Sequence, residues 1–101
     1  MATHDELVSY ARSQAVAHGI DADIFVRQID QESNFDPNAG PSPAGAEGIA
    51  QIVPHWHPGI DPWDPFASLT YAAALDRSNL TPYDDHTLML VRIAAWAAAS
   101  L

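Results

Sequence analysis

Apolar residues recur with a helical period in the first third of the chain. Leu7 and Ala11 lie one helical turn apart and begin an apolar stripe near the N-terminus. Further along, Phe25, Ile29 and Glu32 share one helix face, because positions i, i+4 and i+7 fall on the same side. The pattern predicts two helices, and the apolar face of the second ends in a carboxylate.

Capping residues predict where the helices begin. Thr3 with Glu6 three residues later has the spacing of a capping box, and Asp21 is suited to be the N-cap of the second helix. Asp64 precedes a proline that would stand at the first helical position, which favours a third helix running to about residue 79.

Proline separates helical flanks from a central loop. Seven of the eight prolines fall within residues 37–65, together with many turn-forming residues. Inside this loop, residues 44–53 could hold a short helix, and a last helix is expected over about residues 85–100. The sequence therefore predicts an all-α fold of about five helices with a long proline-rich central loop.

Composition limits the classes of protein to which the chain can belong. Its 101 residues fit one domain, expected over residues 1–101, and the absence of cysteine excludes disulfides and thiol nucleophiles. The formal net charge of −9 and the lack of a basic stripe argue against a nucleic-acid partner. The chain has no run of about 20 apolar residues, so we expect no membrane insertion. Its N-terminus has no signal-peptide pattern.

Glu32 is the strongest candidate for chemistry. A carboxyl held against apolar surface has its charged form disfavoured, so its pKa is expected to rise and it can act as a general acid. From position alone, the simpler interpretation is a glutamate near a helix end that is exposed or hydrogen-bonded to the loop that follows.

Two further segments extend the pattern around Glu32. The sequence reads ESNFDP over residues 32–37 and GAEGIAQIVP over residues 45–54, after IDADIFVRQI at 20–29 and before DPFASL at 64–69. Together these segments closely resemble the lytic transglycosylase (SLT) family, which has a lysozyme-like α fold, and the resemblance spans about residues 7–99.

The resemblance implies an activity on peptidoglycan glycan strands that needs no cofactor and no metal. Glu32 would protonate the β-1,4 oxygen between N-acetylmuramic acid and N-acetylglucosamine. It would then accept the proton of the muramic C6 hydroxyl as a 1,6-anhydro ring closes. The implied substrate-binding residues are Ser33, Gly48, Ile49, Gln51 and Trp96. The resemblance also implies an extracytoplasmic location, in the cell wall, secreted or in a phage virion. Because the chain is as acidic as the polymer it would act on, we expect it to be tethered within a larger protein that supplies the local concentration.

The chain departs from the family at its third motif. Where the family has Ala-Tyr-Asn-Ala-Gly, this sequence has AWAAA over residues 95–99, so Trp96 replaces the tyrosine and Ala97 the asparagine. An indole N–H is a donor at a different place from a phenol hydroxyl. A weak or inactive glycan-binding module is therefore one alternative, and a lysozyme-like hydrolase using Asp36 or Glu47 is another.

The proline-rich loop also carries a cluster of histidines and tryptophans. His55 and His57 with Asp61 or Asp64 could supply zinc ligands, which leaves a zinc-dependent hydrolase as a third alternative. Histidines satisfied by other contacts are the simpler interpretation, and we expect no metal. Trp56 and Trp63 on the same loop suit stacking against sugar rings.

Overall fold

The computed structural model describes residues 1–78, which form three α-helices and a long connecting loop. Helix α1 spans His4–Ala17, α2 spans Ala22–Ser33 and α3 spans Pro65–Ser78. This part of the chain has no β-strand, only an isolated bridge, and the all-α prediction is confirmed. None of the three helices is both long and apolar enough to cross a membrane.

The helices begin where their caps predict. The Thr3 hydroxyl accepts a hydrogen bond from the Glu6 N–H at 3.1 Å, and Glu6 Oε1 accepts one from the Thr3 N–H at 3.3 Å. Asp21 Oδ1 accepts from the Ile24 N–H at 2.9 Å. Asp64 Oδ1 accepts two bonds from the first turn of α3, at 3.0 and 3.2 Å. Each cap satisfies N–H groups that have no partner inside their own helix.

The core lies where α1 packs against both α2 and α3. Small residues at the helix contacts allow close approach of the backbones, and larger side chains fill the space towards the loop. The buried apolar residues are Leu7, Ala11, Ala15, Ile20, Phe25, Ile29, Phe35, Ile49, Ala50, Ile52, Leu69, Ala72 and Ala73. Three of them, Ile49, Ala50 and Ile52, come from the central loop, which is therefore part of the folded unit.

An exposed ion pair joins α1 to α2 at the surface. Arg12 donates a hydrogen bond of 2.7 Å to Asp23 Oδ1. This bond, together with the positive charge of Arg12, holds the pKa of the Asp23 carboxyl below its usual value. Both side chains are in contact with solvent, so the pair adds little to stability.

The prediction of a short helix over residues 44–53 is wrong. This segment forms turns closed by a bridge between Glu47 and Ile52, because Gly45, Gly48 and Gln51 all have positive φ. Three positive φ angles at this spacing are incompatible with a right-handed helix. The last helix, expected over about residues 85–100, lies outside the described residues.

Candidate functional site

The site begins at the end of α2, where Glu32 and Ser33 form the last two helical residues. Asn34 and Phe35 follow with φ angles of 55° and 57°, so the chain leaves the helix abruptly. The Asn34 N–H still bonds the Asp30 carbonyl at 2.7 Å, while the Phe35 ring is buried in the core. These contacts fix the end of the helix, and Glu32 lies there half-buried.

The Ser33 hydroxyl connects this helix end to the central loop. Its Oγ donates to the Ile49 carbonyl oxygen at 2.5 Å and lies 3.5 Å from the Ile29 carbonyl oxygen of its own helix. The contact joins residues that are 16 positions apart in sequence. It thereby brings the turn that contains Gly48, Ile49 and Gln51 next to the helix turn that carries Glu32.

The turn itself is closed by backbone hydrogen bonds. The Glu47 N–H donates to the Ile52 carbonyl at 2.9 Å, and the Ile52 N–H donates back at 3.0 Å. Ile49, between them, has a fully buried side chain and a carbonyl that accepts from Ser33. The structure thus places Ile49 in the core, and its expected contact with a glycan stays a prediction.

Gln51 holds the turn with its amide group. Its Nε2 donates to the Gly48 carbonyl at 2.8 Å and to the Ala39 carbonyl at 3.2 Å. Both amide hydrogens are therefore used inside the protein. The Oε1 atom makes no hydrogen bond within residues 1–78, which leaves it able to accept one from a sugar hydroxyl or acetamido N–H.

Gly48 is required for a close approach between two loop segments. With φ at 78°, a Cβ atom built on Gly48 would lie only 1.8 Å from the Pro62 carbonyl oxygen. That carbonyl also accepts a hydrogen bond of 3.2 Å from the buried Ser68 hydroxyl on α3. The close approach at Gly48 is therefore to the chain's own backbone. By contrast, a Cβ on Gly45 would meet nothing within 4 Å.

The structure brings together four of the predicted site residues and Glu32, all within the end of α2 and the adjoining turn. Trp96, the remaining predicted substrate-binding residue, lies outside the described residues. The two carboxylates considered for a hydrolytic mechanism lie on the loop: Asp36 is exposed and accepts the Asn38 N–H at 2.9 Å, and Glu47 is half-buried at the bridge. Their roles stay predictions.

The histidines of the loop make aromatic and hydrogen-bonding contacts. His57 Nδ1 lies 2.7 Å from the Tyr71 hydroxyl of α3, and the two rings meet edge to face. His55 packs against Trp56 with ring centroids 4.7 Å apart. Among residues 1–78 no three His, Cys, Asp or Glu side chains are grouped closely enough to hold a metal ion.

The sequence did not predict a role for Ser68 or Tyr71, although both hold the proline-rich loop against α3. Ser68 is fully buried and donates to the Pro62 carbonyl, and Tyr71 binds His57. The first pair joins residues six positions apart and the second joins residues 14 positions apart, and no helical or turn pattern marks either contact. The one hint for Ser68 is its position on the apolar face of α3, one residue before the buried Leu69.

A separate open groove lies on the outer surface of α1 and α3. Its volume is about 560 Å³, and two of its lining residues, Tyr10 and Phe66, have rings that meet edge to face. The lining residues are Asp5, Glu6, Ser9, Tyr10, Ser13 and Phe66. None of them is a predicted site residue, so the groove is distinct from the end of α2.

Comparison with known proteins identifies one family. A family model described as "Transglycosylase SLT domain" matches residues 9–98, nearly the whole chain. No curated protein and no solved structure matches the sequence.

Proposed function

Because the chain belongs to the transglycosylase SLT domain family, within the lysozyme-like superfamily, we propose that it is a peptidoglycan lytic transglycosylase whose catalytic carboxyl is Glu32. Family membership indicates transglycosylase-type activity, and the specific reaction and residues are our proposal. The observation that most directly supports this proposal is the hydrogen bond from Ser33 to the Ile49 carbonyl. This bond places the Glu32 helix end beside the Gly48–Gln51 turn, as a joint catalytic and binding site requires.

The reaction uses one carboxyl group twice. Protonated Glu32 donates its proton to the glycosidic oxygen as the bond from that oxygen to C1 of N-acetylmuramic acid breaks. The C6 hydroxyl of the same sugar then attacks C1, and its proton passes to the Glu32 carboxylate. A 1,6-anhydro ring forms, no water is consumed, and Glu32 returns to its starting protonation state. Because the nucleophile belongs to the substrate, no second catalytic carboxylate is needed.

The environment of Glu32 supports this double role. It continues the helix stripe that carries the buried Phe25 and Ile29, and the residue is itself half-buried. We propose that its carboxyl lies close enough to apolar groups for the protonated form to be favoured at the start of the cycle. Gln51, whose Oε1 can accept a hydrogen bond, is suited to hold an acetamido N–H or a hydroxyl of the sugar.

The proposed substrate lies outside the cytoplasm, so we place the site of action there, either in the cell wall or in a virion that degrades it. Peptidoglycan is anionic and the chain carries a net charge of −9, which opposes encounter. Attachment to a larger protein would raise the local concentration and overcome this repulsion.

Mass spectrometry of digested sacculi tests the proposal. The wild-type chain is expected to release anhydro-muropeptides, each lighter by one water than the corresponding hydrolysis product. Reducing-end muropeptides would instead establish a lysozyme-like hydrolase. The absence of both products, with binding to sacculi retained, would establish a glycan-binding module without turnover.

One sequence feature favours the binding module as a second candidate. Trp96 and Ala97 stand where the family has tyrosine and asparagine, so the hydroxyl that the family places at the catalytic carboxyl is missing. Replacing Trp96 with tyrosine restores that hydroxyl. If the wild type releases no product and Trp96→Tyr does, the chain is a binding module that lost its activity at this position.

A further inference from the structure

Two tryptophan side chains are exposed on the segment that follows the Gly48–Gln51 turn. Trp56 is 69% exposed and Trp63 is 40% exposed, and both belong to residues 54–63, which we term the aromatic loop. An exposed tryptophan forgoes the burial of a large apolar surface. The loop holds two of them within eight residues, which is a reason to look for a binding partner there.

The aromatic loop is held firmly at its beginning. The backbone N–H groups of Trp56 and His57 both donate to the Val53 carbonyl, at 3.0 and 3.1 Å. The His57 ring is then fixed by its hydrogen bond to the Tyr71 hydroxyl on α3. The exposed Trp56 side chain thus projects from an ordered turn, and little ordering entropy is lost when a ligand contacts it.

The end of the loop is fixed beside the candidate site. The Pro62 carbonyl lies against Gly48 and accepts a hydrogen bond from Ser68. Trp63, the next residue, has its N–H bonded to Asp61 Oδ1 at 3.0 Å. Because Gly48 contacts Pro62, the backbone at Trp63 lies next to the turn that carries Gln51.

We propose that Trp56 and Trp63 form a stacking surface for a β-1,4-linked glycan strand of N-acetylated sugars, extending the candidate site along the strand. Each tryptophan offers an apolar face with one polar edge, which matches a sugar ring that has an apolar face and hydroxyls at its rim. This inference rests on the proposed function, because it takes the glycan strand from it. The surface would hold sugars beyond the bond that is cleaved.

Binding of chitohexaose, an uncharged β-1,4 oligomer of N-acetylglucosamine, tests the surface by calorimetry. The Glu32→Gln variant serves as the parent so that no cleavage intervenes. Adding Trp56→Ala or Trp63→Ala is expected to weaken binding about fivefold to tenfold each, because an aromatic contact is lost. Trp63→Phe, which keeps an aromatic face, is expected to retain more affinity than Trp63→Ala.

Phe66→Ala is the matched control. Phe66 is also an aromatic residue with 40% exposure, but it lines the groove beside Tyr10 and does not belong to the aromatic loop. Its replacement is expected to leave chitohexaose affinity unchanged. The circular dichroism spectrum and thermal midpoint of every variant are compared with those of the parent, and Trp56, largely exposed, can be replaced without disturbing the core.

The outcomes separate this inference from the proposed function. Chitohexaose binding that is absent in the parent, or equal in the parent and both Trp→Ala variants, would overturn the stacking surface. If sacculi nevertheless yield anhydro-muropeptides, the proposed reaction stands without it. Trp-dependent binding with no product from the wild type would uphold the surface and overturn the lyase activity.

Discussion

At the scale of single residues, Ser33 and Gln51 have their side-chain hydrogen-bond donors committed inside the protein. The Ser33 hydroxyl donates to the Ile49 carbonyl, and the Gln51 amide hydrogens go to the Gly48 and Ala39 carbonyls. We propose that these hydrogen bonds contribute to a reaction at Glu32 by holding the backbone of the turn and the carboxyl in a fixed relation. A displacement of about 1 Å at a catalytic group can cost on the order of a hundredfold in rate.

Ser33→Ala is expected to reduce turnover much more than stability. The variant removes the hydrogen bond to the Ile49 carbonyl, which costs about 1 kcal/mol in the free energy of unfolding. The helix end then loses its tie to the turn, so release of muropeptides is expected to fall at least tenfold. Urea denaturation measures the first effect and the initial rate on sacculi measures the second.

Ser13→Ala is the control for this prediction. The Ser13 hydroxyl also donates to a backbone carbonyl, that of Tyr10 at 2.7 Å, but within its own helix and on the exposed side of α1. Its replacement should leave the rate unchanged. Equal rates for Ser33→Ala and the wild type would show that the helix end is positioned by other contacts.

At the scale of elements, the starts of the helices could be predicted and the shape of the loop could not. Thr3, Asp21 and Asp64 cap α1, α2 and α3 through hydrogen bonds to residues two or three positions away, so a local pattern suffices to find them. The same holds for Glu32, whose position at the end of the apolar face follows from helical period alone.

The turn over residues 47–52 depends on contacts that are distant in sequence. The Gly48 N–H donates to the Ala39 carbonyl, and the Gly48 Cα approaches Pro62, fourteen residues later. The local sequence of residues 44–53 is mainly small and apolar residues before a proline, which also fits a short helix. The nonlocal contacts overrode that preference, as tertiary context often does.

Gly48→Ala tests the importance of the contact with Pro62. The added Cβ would collide with the Pro62 carbonyl oxygen in addition to straining a φ of 78°, so the backbone must shift. We expect it to lower the free energy of unfolding by about 1 to 3 kcal/mol more than Gly45→Ala does. Gly45 has a similar φ of 85° but open space around it, which makes it the matched control.

Thermal or urea unfolding of both variants gives the comparison. If Gly48→Ala and Gly45→Ala are destabilised equally, the loop accommodates the collision, and the aromatic loop is not fixed against the turn in the way we infer. A larger loss for Gly48→Ala, accompanied by weaker chitohexaose binding in the Glu32→Gln parent, would tie the Gly48–Pro62 contact to the binding surface.

At the scale of the whole molecule, charge governs how the chain meets its proposed substrate. A net charge of −9 repels an anionic polymer, and the four arginines are spread along the chain and form no basic patch in the sequence. The repulsion acts over a Debye length, which falls from about 30 Å at about 0.01 M salt to about 8 Å at about 0.15 M.

Sacculus digestion by the isolated chain is therefore expected to become faster, by a factor of a few, as salt rises over this range. Cleavage of an uncharged chito-oligosaccharide, if measurable, should not change, because no long-range repulsion is relieved. A rate on sacculi that falls with added salt would mean that a local positive potential dominates the encounter and that our reading of the charge is wrong.

The most direct test of the central claim is product release by Glu32→Gln. The amide keeps the size of the side chain but can neither donate the carboxyl proton nor accept the C6 hydroxyl proton. Purified peptidoglycan is incubated with wild type and variant at equal concentrations, and muropeptides are quantified by mass spectrometry after circular dichroism has shown equal helix content. We predict anhydro-muropeptides from the wild type and at least a thousandfold less from Glu32→Gln, with glycan binding retained. A variant that keeps most of the wild-type turnover would contradict the assignment of Glu32 as the catalytic acid and base.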